Sequence, residues 1–271
     1  MITFAPTPIG NPQDITIRTI KLFEQAELFL CEDTRETKRL LRLLEDRFDM
    51  SYPDVKFISF NEHNGESRLA ELKDELLSKE IVYVSDAGMP IVSDPGQLLV
   101  EYCQLHNIKY DVLPGASAVA TAYAASGFDG SRFTFIAFLP HKGSDRSSAL
   151  FDAMNINHSV VLFESPHRLE KLLNEICSIA PDREIFLAKE LTKKYQRYYK
   201  GKASDIKDEL AQTTIRGEWV VVLSPSAKQK ESISFDEIMS MSLPPKVKAK
   251  LLAITSKKSV KEWYEILTSQ D

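Results

Sequence analysis

Three loops in this sequence carry residue types that can hold a small polar ligand. They are Thr7-Pro8-Ile9-Gly10-Asn11-Pro12, the stretch from Ser85-Asp86-Ala87-Gly88-Met89-Pro90 to Ser93-Asp94-Pro95-Gly96, and Leu113-Pro114-Gly115-Ala116-Ser117. Each follows a short apolar run. Their Gly and Pro residues leave backbone N–H and C=O groups free, and the middle loop adds two carboxylates. Open α/β sheets bind ligands at such loops, outside the carboxyl ends of the strands. Three of them predict one shared cradle.

Familiar alternatives are missing from the chain. No G-x-G-x-x-G follows a strand, and there is no G-x-x-x-x-G-K-[ST] phosphate loop or G-x-S-x-G nucleophile elbow. The five histidines (His63, His106, His141, His158, His167) show no i, i+4 pairing, which argues against a zinc site. No dedicated ion cage is visible, so the expectation is a ligand held without metal or covalent nucleophile. Cys31, Cys103 and Cys177 are far apart and odd in number. They read as small buried apolar residues of a reducing compartment.

A second chemistry is written in Lys189-Glu190-Leu191-Thr192-Lys193-Lys194-Tyr195-Gln196-Arg197-Tyr198-Tyr199-Lys200-Gly201-Lys202. Cations hold phosphates and aromatic faces stack unpaired bases. Lys193, Lys194, Tyr195, Arg197, Tyr198 and Lys200 are therefore the expected RNA contacts. The competing reading is an exposed edge strand protected by its lysines. A net charge of −5 excludes a protein that is basic throughout, so nucleic-acid binding has to be local.

The elements that position these loops alternate. Strand patterns at Ile2–Ala5, Leu28–Cys31, Val55–Phe60, Ile81–Ser85 and Tyr110–Leu113 are separated by helical patterns. The first helix is expected to open at Asp14, the second at Thr34, and a third carries Leu69, Leu72 and Leu76. This rhythm predicts a mostly parallel sheet with helices on both faces. Ala116–Ser126 is a run of small residues suited to a tightly packed helix or linker. A second α/β series follows, with strands at Phe133–Leu139, Ser159–Phe163, Glu184–Ala188, Tyr195–Lys200 and Glu218–Leu223. Its helices run from Pro166 to about Ile179 and from a Ser204 cap to about Gln212. Ser226–Glu231 reads as a linker. Beyond it, Leu243–Ala253 and Ser259–Leu267 read as two short helices, a helix-turn-helix-like pair exposing Lys246, Lys248, Lys250, Lys257, Lys258 and Lys261, or a solvated hairpin. The expected organisation is two α/β domains, 1–116 and 117–226, plus a Lys-rich helical tail, 227–271. No apolar run approaches the ~20 residues of a membrane helix. With a strand at Ile2, no signal peptide is expected. The chain is expected to be cytoplasmic.

The ordered set Thr7-Pro8-Ile9-Gly10-Asn11, Glu32-Asp33-Thr34-Arg35, His63-Asn64, Ser85-Asp86-Ala87-Gly88, Ser93-Asp94-Pro95-Gly96, Leu113-Pro114-Gly115, Glu164-Ser165-Pro166-His167-Arg168 and Lys189-Glu190-Leu191-Thr192-Lys193 closely resembles the bacterial 16S ribosomal RNA (cytidine-2′-O)-methyltransferases. These belong to the tetrapyrrole-methylase superfamily. The resemblance spans essentially the whole chain. It implies two α/β domains with S-adenosylmethionine in the cleft between them, commonly a homodimer. It also implies transfer of a methyl group to a cytidine 2′-hydroxyl of 16S rRNA in the decoding region of the small subunit. Met89 stands where the ribosomal branch commonly has Thr, and Ala116 where it often has Pro.

By that resemblance, Pro8, Ile9 and Gly10 approach the cofactor from the first loop. Asp86, Gly88, Met89, Val92 and Ser93 hold its amino-acid and sulfonium end. Gly115, Ala116 and Ser117 add backbone contacts, and Phe163, Leu191 and Trp219 cover the adenine side. Glu32 or Asp33 serves as base or ribose ligand and Arg35 as a phosphate clamp, although Asp33 or Thr34 equally suits a helix cap. His63 is an alternative base, since its unperturbed pKa lies near neutrality. The competing functions are methylation of a tetrapyrrole or other small molecule, and a non-catalytic RNA-binding ribosome-assembly factor.

Overall fold

The computed structural model describes residues 1–128, 130–226, 235–256 and 258–269. The chain forms two compact units, Met1–Ser226 and Ala227–Asp271. The larger unit holds two five-stranded sheets.

The first sheet contains β1 (Ile2–Phe4), β2 (Leu28–Cys31), β3 (Lys56–Ser59), β4 (Ile81–Val84) and β5 (Tyr110–Val112). Its order is β3-β2-β4-β1-β5 and every pair is parallel. A sheet covered on both faces needs strands that are apolar on both sides. Accordingly Leu28 and Leu30 pack with the helices Gly65–Glu71 and Gln97–Leu105 on one face. Phe29 and Cys31 pack with Ile17–Glu24 and Thr34–Phe48 on the other.

The second sheet contains β6 (Phe133–Phe138), β7 (Ser159–Glu164), β8 (Glu184–Lys189), β9 (Arg197–Lys202) and β10 (Trp219–Leu223). Its order is β6-β7-β10-β8-β9. Only β6 and β7 run parallel; the other pairs are antiparallel. The helices Gly143–Asn155, Pro166–Ile179 and Ala203–Ala211 cover one face. On the other lies Ala118–Ser126, the small-residue run, now a helix capped by Ser117. Its alanines let it approach the Val161, Val220 and Val222 surface closely.

Several expected boundaries move for local reasons. Thr16, not Asp14, opens the first helix, its hydroxyl accepting from the Thr19 N–H at 3.0 Å. Asp14 instead ends a single 3-10 turn begun by Pro12. The helix expected across Leu69–Leu76 breaks at Leu72 into Gly65–Glu71 and Lys73–Ser78. The helix expected to open at Thr34 does so, and of the two cap candidates Asp33 is its N-cap. Ser204 lies inside its helix, because β9 runs directly into Ala203–Ala211 through Lys202.

The smaller unit has three helices among its described residues: Phe235–Ser240, which the sequence pattern did not reveal, Pro245–Thr255 and Val260–Thr268. Ile238, Ala249, Leu252 and Trp263 form its core. Lys246, Lys250, Lys258 and Lys261 are exposed as expected and Lys248 is partly buried, and two of these lysines make contacts within the unit. Lys248 Nζ donates to the Met239 carbonyl at 2.9 Å, and Lys258 Nζ lies 5.1 Å from the Trp263 ring centre. Lys257 and residues 227–231 of the expected linker lie outside the described residues.

Candidate active site

The loops after β1 and β4 are neighbours because their strands are paired. They are zipped together by two backbone bonds, Thr7 N–H to the Gly88 carbonyl at 3.0 Å and Gly88 N–H to the Thr7 carbonyl at 3.1 Å. Gly88 sits at φ +85°, where side chains are disfavoured. Ile91 and Ser93 also have positive φ, 75° and 70°. A β-branched residue there is strained, a feature that clusters at ligand clamps. The Tyr83 hydroxyl braces this loop by donating to the Pro95 carbonyl at 2.6 Å.

Facing these loops are residues at the ends of β7, β8 and β10 of the second sheet. Together they enclose a cavity of about 430 Å³, with Ile9, Phe163, Leu191, Trp219 and Val220 as apolar walls and Glu32, Asp86 and Asp94 as acidic ones. A recess of about 60 Å³, lined by Gly88, Met89, Val92 and Ser117, shares Ile9, Asp94 and Phe163 with it. The two sheets are latched across this cleft. The Asn11 N–H donates to Thr192 Oγ1 at 2.9 Å. A Cβ on Gly10 would stand 2.5 Å from Lys193 Cγ and 2.7 Å from the Leu191 carbonyl oxygen, so only glycine allows this approach.

The acidic wall is internally organised. The Asp86 N–H donates to Glu32 Oε2 at 3.2 Å, and the Asp33 N–H donates to Asp86 Oδ1 at 3.2 Å. Burial first, then neighbouring carboxylates, push Glu32, Asp86 and Asp94 above the usual carboxylate range, Asp94 to about 6. Asp33 behaves oppositely. Its carboxylate accepts from the Arg35 side chain at 2.6 Å and 3.1 Å and from the Arg35 N–H at 2.8 Å, which lowers its pKa to about 2.

The structure brings Ile9, Asp86, Ser93, Phe163, Leu191, Trp219 and Glu32 together around the main cavity and Gly88, Met89, Val92 and Ser117 around the recess. Pro8, Gly10, Gly115, Ala116, Asp33, Arg35 and His63 are not among the lining residues. Gly115 serves by close approach, since a Cβ there would meet Pro6 Cγ at 2.2 Å. Arg35 is 87% exposed and turned to Asp33. His63 is exposed on the loop after β3.

The basic strip divides. Tyr195 and Tyr198 are exposed, and Lys194 and Lys200 lie against the Tyr195 and Phe128 rings. Arg197 pairs with Glu209 at 3.6 Å. Lys193 is half-buried and paired: its Nζ lies 3.0 Å from Glu218 and 3.3 Å from Glu190. Glu190 also accepts from the Glu218 N–H at 2.9 Å, and Gly217 leaves the space its side chain fills. Lys193 therefore props the cavity wall at Gly217-Glu218-Trp219.

Residues not singled out by sequence also shape the site. Asp94, the second carboxylate of the middle loop but not assigned a role there, faces both cavities. Glu164 lines the main cavity with its side chain fully buried. It is bound by Arg168 Nε at 2.7 Å, by the Ser165 N–H at 2.9 Å and by the Arg146 guanidinium at 3.4 Å. Arg146 is 1% exposed and also pairs with Glu175 at 2.9 Å. The Glu164–Arg168 spacing was visible in sequence, but Arg146 joins only through the fold.

A fold with two such sheets and a cleft between them, carrying apolar walls and acidic loops, is that of a known class of methylases. Residues 1–207 match the family model of Tetrapyrrole (Corrin/Porphyrin) Methylases, and the chain belongs to that family. Ribosomal RNA small subunit methyltransferase I of Helicobacter pylori is 44% identical over 97% of this chain and 96% of its own length. The protein of that name from Campylobacter fetus is 41% identical over 98% and 99%. Among solved structures, uroporphyrin-III C-methyl transferase from Thermus thermophilus, complexed with S-adenyl homocysteine, superposes with TM-score 0.56 at 16% identity. That match covers 82% of this chain and 96% of the other, and shows a shared fold. No helix among the described residues is long and apolar enough to cross a membrane.

Proposed function

We propose that this protein is an S-adenosylmethionine-dependent methyltransferase acting on small-subunit ribosomal RNA, at the 2′-oxygen of a cytidine in 16S rRNA. The observation that carries this is the cleft itself, where Phe163, Leu191 and Trp219 stand opposite Glu32, Asp86 and Asp94. The names of the relatives and the ordered motifs support the RNA substrate.

The residues fit the cofactor. A cavity of about 430 Å³ lies in the range of small-molecule sites. Its apolar side suits an adenine ring and its carboxylates suit a sulfonium and an ammonium group. Gly88, held at φ +85° by its bonds to Thr7, lets the backbone come close. When bound, S-adenosylmethionine supplies an electrophilic methyl carbon together with its own leaving group.

The chain supplies placement and proton handling. Oxygen and carbon need to be aligned at about 3–3.5 Å. Ile9, Phe163 and Trp219 exclude water on one side. Glu32 accepts the hydroxyl proton: it lines the cavity, and its raised pKa brings it nearer the operating pH than Asp33, held at about 2. Asp33 and Arg35 cap and brace the loop that carries Glu32. Asp94 and Asp86 hold the cofactor's cationic end. Lys194, Tyr195, Arg197, Tyr198 and Lys200 contact RNA, the sequence's sixth candidate, Lys193, being engaged with Glu190 and Glu218.

The domains are assigned as 1–116, 117–226 and 227–271, the protein acts in the cytoplasm where small subunits are built, and it works as a homodimer. The deciding experiment follows labelled methyl transfer to isolated small subunits, to free 16S rRNA and to a tetrapyrrole. Label at one cytidine ribose of the subunit or rRNA is the expected result. Label only in the tetrapyrrole, or cofactor binding without transfer, would replace this function by one of its rivals.

A further inference from the structure

We propose that Phe138 is the platform on which the base of the target nucleotide stacks while its ribose is presented at the cavity mouth; this rests on the RNA-methylation reading above. Strand register sets the direction of this ring. β6 pairs with β7 as Phe133↔Ser159, Thr134↔Val160 and Phe135↔Val161, and then as Phe138↔Phe163. Three steps along β6 match two along β7, so one residue is extra. Ala137 absorbs it in the left-handed region, at φ 53°.

In an unbroken strand, residues three apart point to opposite faces. Phe138 would then leave the face that Phe135 occupies. The bulge returns it: the Phe135 and Phe138 rings lie 5.0 Å and 5.6 Å from the ring of Phe163, a wall of the cavity. Bulges beside active sites characteristically re-aim a side chain in this way.

The ring so aimed is 52% exposed although it lines the cavity with Glu32 and Asp86. It is fixed from behind. The Arg168 guanidinium lies 6.0 Å from its centre, is itself bound to Glu164 at 2.7 Å, and donates to the Leu139 carbonyl at 3.2 Å. A rigid aromatic surface open to solvent, within the lining that holds the candidate base, has the properties of a stacking platform for an unpaired nucleobase. The loop that follows β6 exposes His141 and Lys142, a cation four residues beyond the ring that is free to meet a phosphate.

The test uses full-length Phe138→Leu and Phe138→Trp. It measures steady-state methyl transfer to isolated small subunits at saturating S-adenosylmethionine, cofactor affinity by calorimetry and association state by sedimentation. Phe138→Leu, which keeps apolar bulk but loses the π face, is expected to lower kcat/KM for the subunit by about ten-fold or more. Its cofactor affinity should stay within about two-fold and its sedimentation unchanged, and Phe138→Trp should recover most of the loss. The proposal is overturned if Phe138→Leu matches the wild type, or if tryptophan fails to rescue. It is equally overturned if cofactor affinity falls in proportion, making the ring a cofactor cover, or if the association state changes, making it a contact with a second copy. A wild-type protein that methylates no RNA would remove the functional reading and this inference together; an active wild type with an intact leucine variant would remove this inference alone.

Discussion

The Asp86 backbone N–H donates to the Glu32 carboxylate at 3.2 Å, so the loop after β4 holds the side chain at the end of β2 in the cavity wall. Asp33, next in sequence, is turned away and bound to Arg35. Two adjacent carboxylates thus have opposite environments, one pushed toward protonation by burial and one locked as an anion.

Glu32→Gln preserves shape and the Asp86 bond but removes proton acceptance. It is expected to lower kcat by about 10²–10⁴-fold, the usual worth of a general base. Asp33→Asn keeps a competent helix cap and should cost less than about ten-fold. Single-turnover methyl transfer by the two variants distinguishes them; a larger loss in Asp33→Asn would move the base to Asp33.

Asp94 contributes a pH dependence of stability. Its folded pKa of about 6 lies above its ordinary value near 3.8, so the folded state binds the proton more tightly. Its share of stability is complete below about pH 4 and is lost as pH rises through about 6. Asp94→Asn is expected to raise the Tm of the cofactor-free protein at pH 8 by about 2–4 °C, roughly 1 kcal/mol after discounting for solvent screening. The difference should vanish near pH 4, and thermal melts across that range check it.

Much of this was legible before the fold was known. Most strands are short apolar runs, and the three ligand loops announce themselves by composition. What was hidden depends on distance in sequence. Asp94 has no individual role legible in sequence, because what raises its pKa is burial by the fold and then the carboxylate of Glu32, from a different strand. Lys193 looked like part of a basic strip because Glu218 arrives from a strand 25 residues later. The break at Leu72 and the bulge at Ala137 leave the apolar pattern nearly unchanged and carry no Gly or Pro signal.

Lys193 and its neighbours should therefore separate experimentally. Lys193→Ala leaves Glu190 and Glu218 facing each other and is expected to weaken cofactor binding while leaving the salt dependence of RNA binding unchanged. A Lys194→Ala/Arg197→Ala double variant should reduce that salt slope by about 1–2 and spare the cofactor. Calorimetry and salt-titrated RNA binding read the two effects.

Gly10→Ala places a methyl 2.5 Å from Lys193 Cγ and 2.7 Å from the Leu191 carbonyl oxygen. Overpacking of this kind costs about 1–3 kcal/mol, and at this position it also prises the cleft apart. A Tm loss accompanied by at least about ten-fold weaker cofactor binding is expected. A Tm loss alone would mean that the latch does not set the cleft width.

Arg146→Met takes one of two guanidinium partners from the buried Glu164 carboxylate, which keeps Arg168 and the Ser165 N–H. Removing one partner of a buried pair costs about 3–5 kcal/mol. Urea unfolding should show this, whereas Arg39→Ala, an exposed i, i+3 partner of Glu36 at 3.2 Å, should change stability by less than about 1 kcal/mol.

The most direct measurement is a crystal structure of the protein grown with S-adenosylhomocysteine. Density for the nucleoside against Phe163 and Trp219, with the amino-acid end at Asp86, Gly88 and Asp94, is the expected result. A vacant cleft, or the molecule bound anywhere else, would contradict the cofactor placement on which the roles of Glu32, Asp86, Asp94 and Phe138 all depend.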